Sequence, residues 1–333
     1  LRNKACNTLQ ARPLILLVVT LAVYGCGRTT TDGWVPKVFQ DPEYEVSLSS
    51  DVKYGEGLSH QTLNSASASV MDLYLDIYVP EDGGGNHPLY MFIHGGGFSG
   101  GSKSQSPIGY IADYFTSRGF VFASIDYRLQ GNRGTVPNSW VNLALALDES
   151  QRNQFLAIYP ALRDAKAALR FLVANASNYG INKYYIAVGG GSAGAISSIA
   201  VANTLAGDYR DEIALSEDGT IASTNVGTQY DVKTIIDYWG SGKGLDILTV
   251  LDNQDRYDTL DAPLMIVHGT EDSTVLFEEA VALKAKYDSL SLRVAYYPIQ
   301  GAGHGPWSKR INGKGLEELA FDFIVDAQGL DLQ

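Results

Sequence analysis

From residue 72 to residue 298 the chain alternates short apolar runs with stretches of helical spacing. Residues 72–79, 89–93, 121–125, 184–188, 232–238, 263–267 and 293–298 are rich in Val, Ile, Leu, Tyr and Phe and have strand length. Between two of them, 161–175 sets Leu162, Ala165, Leu169 and Leu172 on one helical face. Strand–helix alternation repeated in this way specifies an α/β chain, with a mostly parallel central sheet and helices on both faces. One catalytic-size domain over 52–333 is the economical reading. Two connections, 130–157 and 240–260, are longer than usual and carry scattered apolar residues, as lids and binding loops do.

The length of 333 residues and a hydrophobic content of 45% are enough for a large core and exclude a disordered chain. The formal charge is −12, with no arginine-rich stripe, which argues against nucleic acid and against anionic substrates. Cys6 and Cys26 are the only cysteines, so the body of the chain has no thiol nucleophile, zinc cluster or disulfide framework. Both lie in 1–26, which reads as a signal peptide. Arg2, Lys4 and Arg12 precede the apolar stretch 14–24, about eleven residues and too short to span a bilayer. Its end, Leu21-Ala22-Val23-Tyr24-Gly25-Cys26, resembles a bacterial lipobox. That resemblance implies export and membrane attachment through a lipidated Cys26; a plain secretory signal or a buried apolar element are the alternatives. The polar segment 27–51 reads as a tether.

Chemistry concentrates at the ends of the apolar runs. Residues 184–188 lead into Gly189-Gly190-Gly191-Ser192-Ala193-Gly194 and then into the small-residue helical stretch 195–205, which gives G-x-S-x-G between a strand and a helix. On so tight a turn Gly190 and Gly194 leave room only for hydrogen, and Ser192 projects above the sheet beside a helix N-terminus. Residues 89–93 lead into His94-Gly95-Gly96-Gly97-Phe98, whose glycines uncover backbone N–H groups suited to an oxyanion. Gly95, Gly97 and Gly100 also satisfy G-x-G-x-x-G, with Asp126 ending the next strand, as in a dinucleotide site. Asp272 follows the run at 263–267 and His304 the run at 293–298, so acid, base and serine share one sheet edge. The order Ser192, Asp272, His304 is that of a hydrolase triad, and the dinucleotide reading leaves all three as coincidences. Glu271 and Asp237 are the rival acids. Gly240-Ser241-Gly242-Lys243-Gly244 lacks the residues of a phosphate loop.

On these residues the chain resembles a bacterial esterase of the α/β-hydrolase superfamily, close to the hormone-sensitive-lipase-like and the feruloyl or acetyl esterase groups. The resemblance covers about 52–325 and implies the α/β-hydrolase fold. It assigns 94–97 to the family's HGGG loop, Ser192 to the nucleophile, Asp272 to the acid and His304 to the base. Gly96, Gly97 and Ala193 become the oxyanion donors, and Asp126-Tyr127-Arg128 with Asp164 take structural positions. Residue 191 is glycine where such esterases often carry an acid, and residue 195 is alanine where glycine is common.

The expected activity is hydrolysis of a small-molecule carboxylic ester, neutral and short-acyl or aromatic, with no metal or organic cofactor. A peptidase or amidase would use the same groups, and a non-catalytic binding protein on this fold is the remaining alternative. Phe98 and Trp307 flank the oxyanion loop and the histidine, and are expected to contact substrate. Segment 130–157 leaves a strand at the same edge as Ser192 and is expected to cover the site. Within it Ser139 is placed to cap a short helix whose stripe of Trp140, Leu143 and Leu147 would line the acyl site.

Overall fold

The computed structural model describes residues 35–81 and 84–333. The signal-peptide and lipobox reading of 1–26 lies outside the described residues. In chain order the elements are β1 (Lys37–Val38), β2 (Val46–His60), β3 (Ala68–Pro80), β4 (His87–Ile93), α1 (Ile108–Thr116), β5 (Val121–Ile125), α2 (Asn138–Ala144), α3 (Glu149–Ala174), β6 (Ile181–Gly191), α4 (Ala193–Asn203), β7 (Thr234–Tyr238), α5 (Lys243–Asp252), β8 (Leu264–Gly269), α6 (Phe277–Ser289), β9 (Val294–Ile299), α7 (Leu316–Gln328) and β10 (Asp331–Leu332).

Eight strands form one sheet in the order β2-β3-β5-β4-β6-β7-β8-β9. Strand β3 is antiparallel to both neighbours, and every pair from β5 to β9 is parallel. Because side chains alternate along a strand, each central strand feeds two cores. Leu89, Met91 and Ile93 of β4 point to the layer holding Leu162, Leu169, Ile196, Ile199 and Leu283 from α3, α4 and α6. Tyr90 and Phe92 point the other way, to Ile111 and Phe115 of α1 and Ile324 of α7. Burial on both faces explains why these strands read as continuous apolar runs. The arrangement is the α/β-hydrolase fold.

Three expectations change. The tether 27–51 is not a tether in its described part: Val38 is fully buried, β1 pairs in parallel with β10, and β2 already begins at Val46. The helix expected over 161–175 begins twelve residues earlier, capped by Asp148, whose carboxylate accepts the Gln151 N–H at 2.9 Å, and it runs through Pro160. Ser139 does not cap α2, which starts after Pro137.

Trp140 is the largest correction. Its apolar stripe faces α3 and not the site, and the indole is fully buried against Phe155 (5.0 Å), Tyr159 (5.6 Å) and Tyr209 (5.8 Å). A ring enclosed by three others has no surface to offer a substrate, so Trp140 is core.

Candidate active site

Strand β6 ends at Gly191 and α4 begins at Ala193, so Ser192 makes the whole turn between them. It takes φ 56° and ψ −120°, a conformation that a non-glycine residue holds only when its surroundings impose it. They do so from several sides. The Ser192 N–H donates to the Tyr238 carbonyl at 2.8 Å, and its own carbonyl accepts the Ile196 N–H at 3.0 Å. A Cβ at Gly190 or Gly194 would run into the carbonyl oxygen of Ile93, as the spacing of the motif required.

The sheet edge brings the other two groups to this turn. His304 Nε2 lies 3.0 Å from Ser192 Oγ, and His304 Nδ1 lies 2.7 Å from Asp272 Oδ2. The other oxygen, Asp272 Oδ1, accepts the N–H groups of Thr274 (2.8 Å) and Val275 (3.1 Å). The carboxylate is therefore fixed at both oxygens and buried, while the imidazole keeps an exposed flank. Glu271 is exposed, and Asp272 rather than Glu271 holds His304 Nδ1; the Glu271 N–H is tied to the Ala302 carbonyl at 2.9 Å.

His268, to which sequence reasoning gave no role, is fully buried beside this pair. Its Nε2 lies 2.9 Å from the Val275 carbonyl, which makes that nitrogen the proton carrier, and 3.3 Å from Asp272 Oδ2. Burial holds its pKa below that of an ordinary histidine, so a neutral ring donates toward the carboxylate. The available signal was its position at the end of the same strand as Asp272.

The three expected oxyanion donors are backbone groups whose direction is set from behind. In a trans peptide the N–H points opposite to the preceding carbonyl. His94 Nδ1–H holds the Gly95 carbonyl at 2.7 Å, which turns the Gly96 N–H the other way. The Ser99 and Gly100 N–H groups, each at 3.1 Å, hold the Gly96 carbonyl and so orient the Gly97 N–H. Ala193 is the first residue of α4, where an N–H has no partner within the helix. None of the three donates to a protein group among the described residues. The loop lies directly on the serine, since a Cβ at Gly95 would sit 3.5 Å from Ser192 Cβ. His94 itself is buried, stacked on Tyr127 at 4.2 Å.

Of the expected substrate contacts only Trp307 is near. It packs on Trp239 (4.5 Å) and Tyr238 (4.9 Å), and Trp239 in turn lies 6.4 Å from the His304 ring. These indoles occupy the space beside Gly191, where a Cβ would meet Trp307 at 3.0 Å and Trp239 at 3.3 Å, which accounts for a glycine at 191. Phe98 is corrected: its φ of +60° turns the ring into the core against Tyr127, and only 3% of it is exposed. Arg128 and Asp164 form a buried two-pronged ion pair (2.7 and 2.9 Å) that ties the exit of β5 to α3.

Asp237, the other rival acid, is enclosed at the end of β7, with Oδ1 accepting the Gly240 N–H at 2.6 Å and Oδ2 without a partner. Burial raises its pKa to about 7 from 3.8. The folded state thus holds this proton more tightly than the unfolded one. The associated stability is complete below about pH 4 and is lost as pH rises through about 7. Asp237→Asn, which mimics the protonated acid, should melt close to the wild type near pH 4 and several degrees above it at pH 8, with the gap opening between the two. Parallel melting curves at both values would count against this account.

Residues 59–216 match the model of the carboxylesterase family. Gut esterase 1 of Caenorhabditis briggsae is 34% identical over 110 residues, which are 33% of this chain and 17% of that protein. Esterase LipC of Mycobacterium tuberculosis is 25% identical over 244 residues, 66% of this chain and 53% of LipC. The chain thus spans about half or less of the length of these curated relatives. Among solved structures, Thermogutta terrifontis esterase 2 phosphorylated by paraoxon superposes with a TM-score of 0.56 at 24% identity, over 82% of this chain and 94% of that one. That likeness is one of fold.

Proposed function

We propose that the chain is a serine carboxylic ester hydrolase that works through an acyl-enzyme. The observation that carries this is the unbroken line Asp272–His304–Ser192 facing three unengaged backbone donors. In this mechanism His304 Nε2 takes the proton of Ser192 as Oγ attacks the ester carbonyl. The carbonyl oxygen gains charge between the N–H groups of Gly96, Gly97 and Ala193, while Asp272 stabilises the imidazolium. His304 then protonates the departing alcohol, and water repeats the sequence on the acyl-enzyme. No step calls on a metal or organic cofactor.

The match to the carboxylesterase family and the esterase names of the relatives support the reading. The neighbour captured with paraoxon supports it too, because such phosphates report an activated nucleophile. Short-acyl or aromatic esters remain the proposed substrates. For aromatic groups the support rests on the Trp307 and Trp239 indoles alone, since Phe98 and Trp140 belong to the core.

The test is turnover of 4-nitrophenyl acetate beside the matched 4-nitroanilide, with paraoxon labelling followed by peptide mapping. Hydrolysis of the ester, little of the anilide and one adduct on Ser192 are expected. Faster cleavage of the anilide would make the chain an amidase.

A further inference from the structure

A cavity of about 440 Å³ borders the oxyanion loop at Ser99 and is lined also by Leu129, Gln130, Arg133, Asn153 and Leu156 among others. Its size is that of a small-ligand pocket. In a chain with 37 acidic and 25 basic residues, no acidic side chain lines it, and Arg133 is its only charged wall. Three other cavities of the molecule carry Asp or Glu in their linings. Arg133 forms no ion pair among the described residues; its guanidinium donates to the Gln61 carbonyl. The remaining polar groups, Ser99, Gln130 and Asn153, can all donate hydrogen bonds.

The cavity is coupled to the loop by direct bonds. The Gln130 N–H donates to the Phe98 carbonyl at 2.8 Å, and Gln154 Nε2 donates to the Gly97 carbonyl at 3.0 Å. Gly97 offers its N–H to the reaction side, and Ser99, two residues on, is already in the cavity wall. Two residues of chain reach roughly 7 Å. The cavity wall therefore begins within about 7 Å of Gly97.

We propose that this cavity is a subsite for the far end of the ester, and that Arg133 selects a carboxylate there. The inference rests on Ser192 being an ester-cleaving nucleophile. It departs from the neutral substrate that the net charge suggested, for a physical reason. Net charge acts through solvent that screens it beyond about 8 Å, whereas a guanidinium in a wall without acids acts at contact.

Two substrate pairs place the carboxylate on either side of the scissile bond. On the acyl side, mono-4-nitrophenyl adipate is compared with 4-nitrophenyl hexanoate. On the alcohol side, the acetate ester of 3-(4-hydroxyphenyl)propionate is compared with that of its amide. In at least one pair the carboxylate should raise kcat/KM about tenfold or more, as expected for hydrogen bonds to a charged group. Arg133→Gln should bring that ratio near one, Arg133→Lys should keep part of it, and Arg133→Glu should invert it. Added salt should shrink it in the wild type.

Paraoxon labelling of Ser192 in each variant checks that the site is intact. Ratios near one in both wild-type pairs, or a ratio unchanged by Arg133→Gln, overturn the subsite while leaving the esterase reading in place. No hydrolysis of any of the four esters, with no label on Ser192, overturns both.

Discussion

Ser192→Ala should lower ester turnover by something on the order of 10⁶-fold, the loss seen when a triad nucleophile is removed. At about 1.4 kcal/mol per factor of ten, that is about 8 kcal/mol of barrier. The fold should survive. Among the described residues Ser192 Oγ bonds to His304 Nε2, and that ring retains its bond to Asp272 on the other side. The methyl group fits the space that Cβ already fills, and the backbone bonds to Tyr238 and Ile196 remain. The melting temperature should therefore move by no more than about 2 °C. Steady-state hydrolysis of 4-nitrophenyl acetate reads the first quantity and calorimetry the second. Turnover near the wild-type level would remove Ser192 from the chemistry.

Asp272→Asn should cost about 10⁴-fold in turnover with the geometry largely preserved. An asparagine oxygen can still accept the N–H groups of Thr274 and Val275, so the side chain stays where the acid was. Its amino group then faces His304 Nδ1, which must become an acceptor. The proton moves to Nε2, the nitrogen that has to receive the serine proton. The same amino group also meets the Nε2–H of His268, two donors at one point. Glu271→Gln is the matched control, because that side chain is exposed and the imidazole Nδ1 is held by Asp272. A crippled Glu271→Gln beside an active Asp272→Asn would move the acid to residue 271.

Much of this architecture was legible because buried parallel strands leave an unmistakable trace. The runs at 89–93 and 121–125 are buried at every position and, apart from Ser124, apolar or aromatic throughout, since both faces of β4 and β5 are covered. With each strand end located, the residues that follow it share one edge, and Ser192, Asp272 and His304 fell together on sequence position alone. Strand β2 left no such trace. It lies at the sheet edge, its first half is exposed, and two breaks in register interrupt its pairing with β3, so Val46–His60 is neither apolar nor cleanly alternating.

The first half of α3 was hidden for another reason. Pro160 ordinarily marks a helix boundary, so the apolar spacing of Phe155, Ile158 and Leu162 was not followed across it. Trp140 and Phe98 were misplaced because nearness in sequence to the site says nothing about the direction a ring takes. Trp140 follows the face that α2 turns to α3, and Phe98 follows a left-handed backbone angle. His268 was invisible as a contributor, since what matters for it is a neighbour, Asp272, that only the folded chain brings to 3.3 Å.

The oxyanion donors raise a different question, that of how such a site can change over evolutionary time. In the proposed mechanism Gly96, Gly97 and Ala193 contribute main-chain N–H groups, which no substitution other than one to proline deletes. Any other mutation reaches them only by displacing the loop, and the loop has little tolerance: a side chain at Gly96 would collide with the Gly100 carbonyl, and one at Gly101 with the Gly95 carbonyl and the His94 ring. Variation is thereby driven outward, to side chains such as Trp239 and Trp307 beside Gly191. A catalytic centre of this construction is conservative at the reacting carbonyl and free at its periphery, so descendants of such a chain would diverge in what they cleave long before they diverged in how.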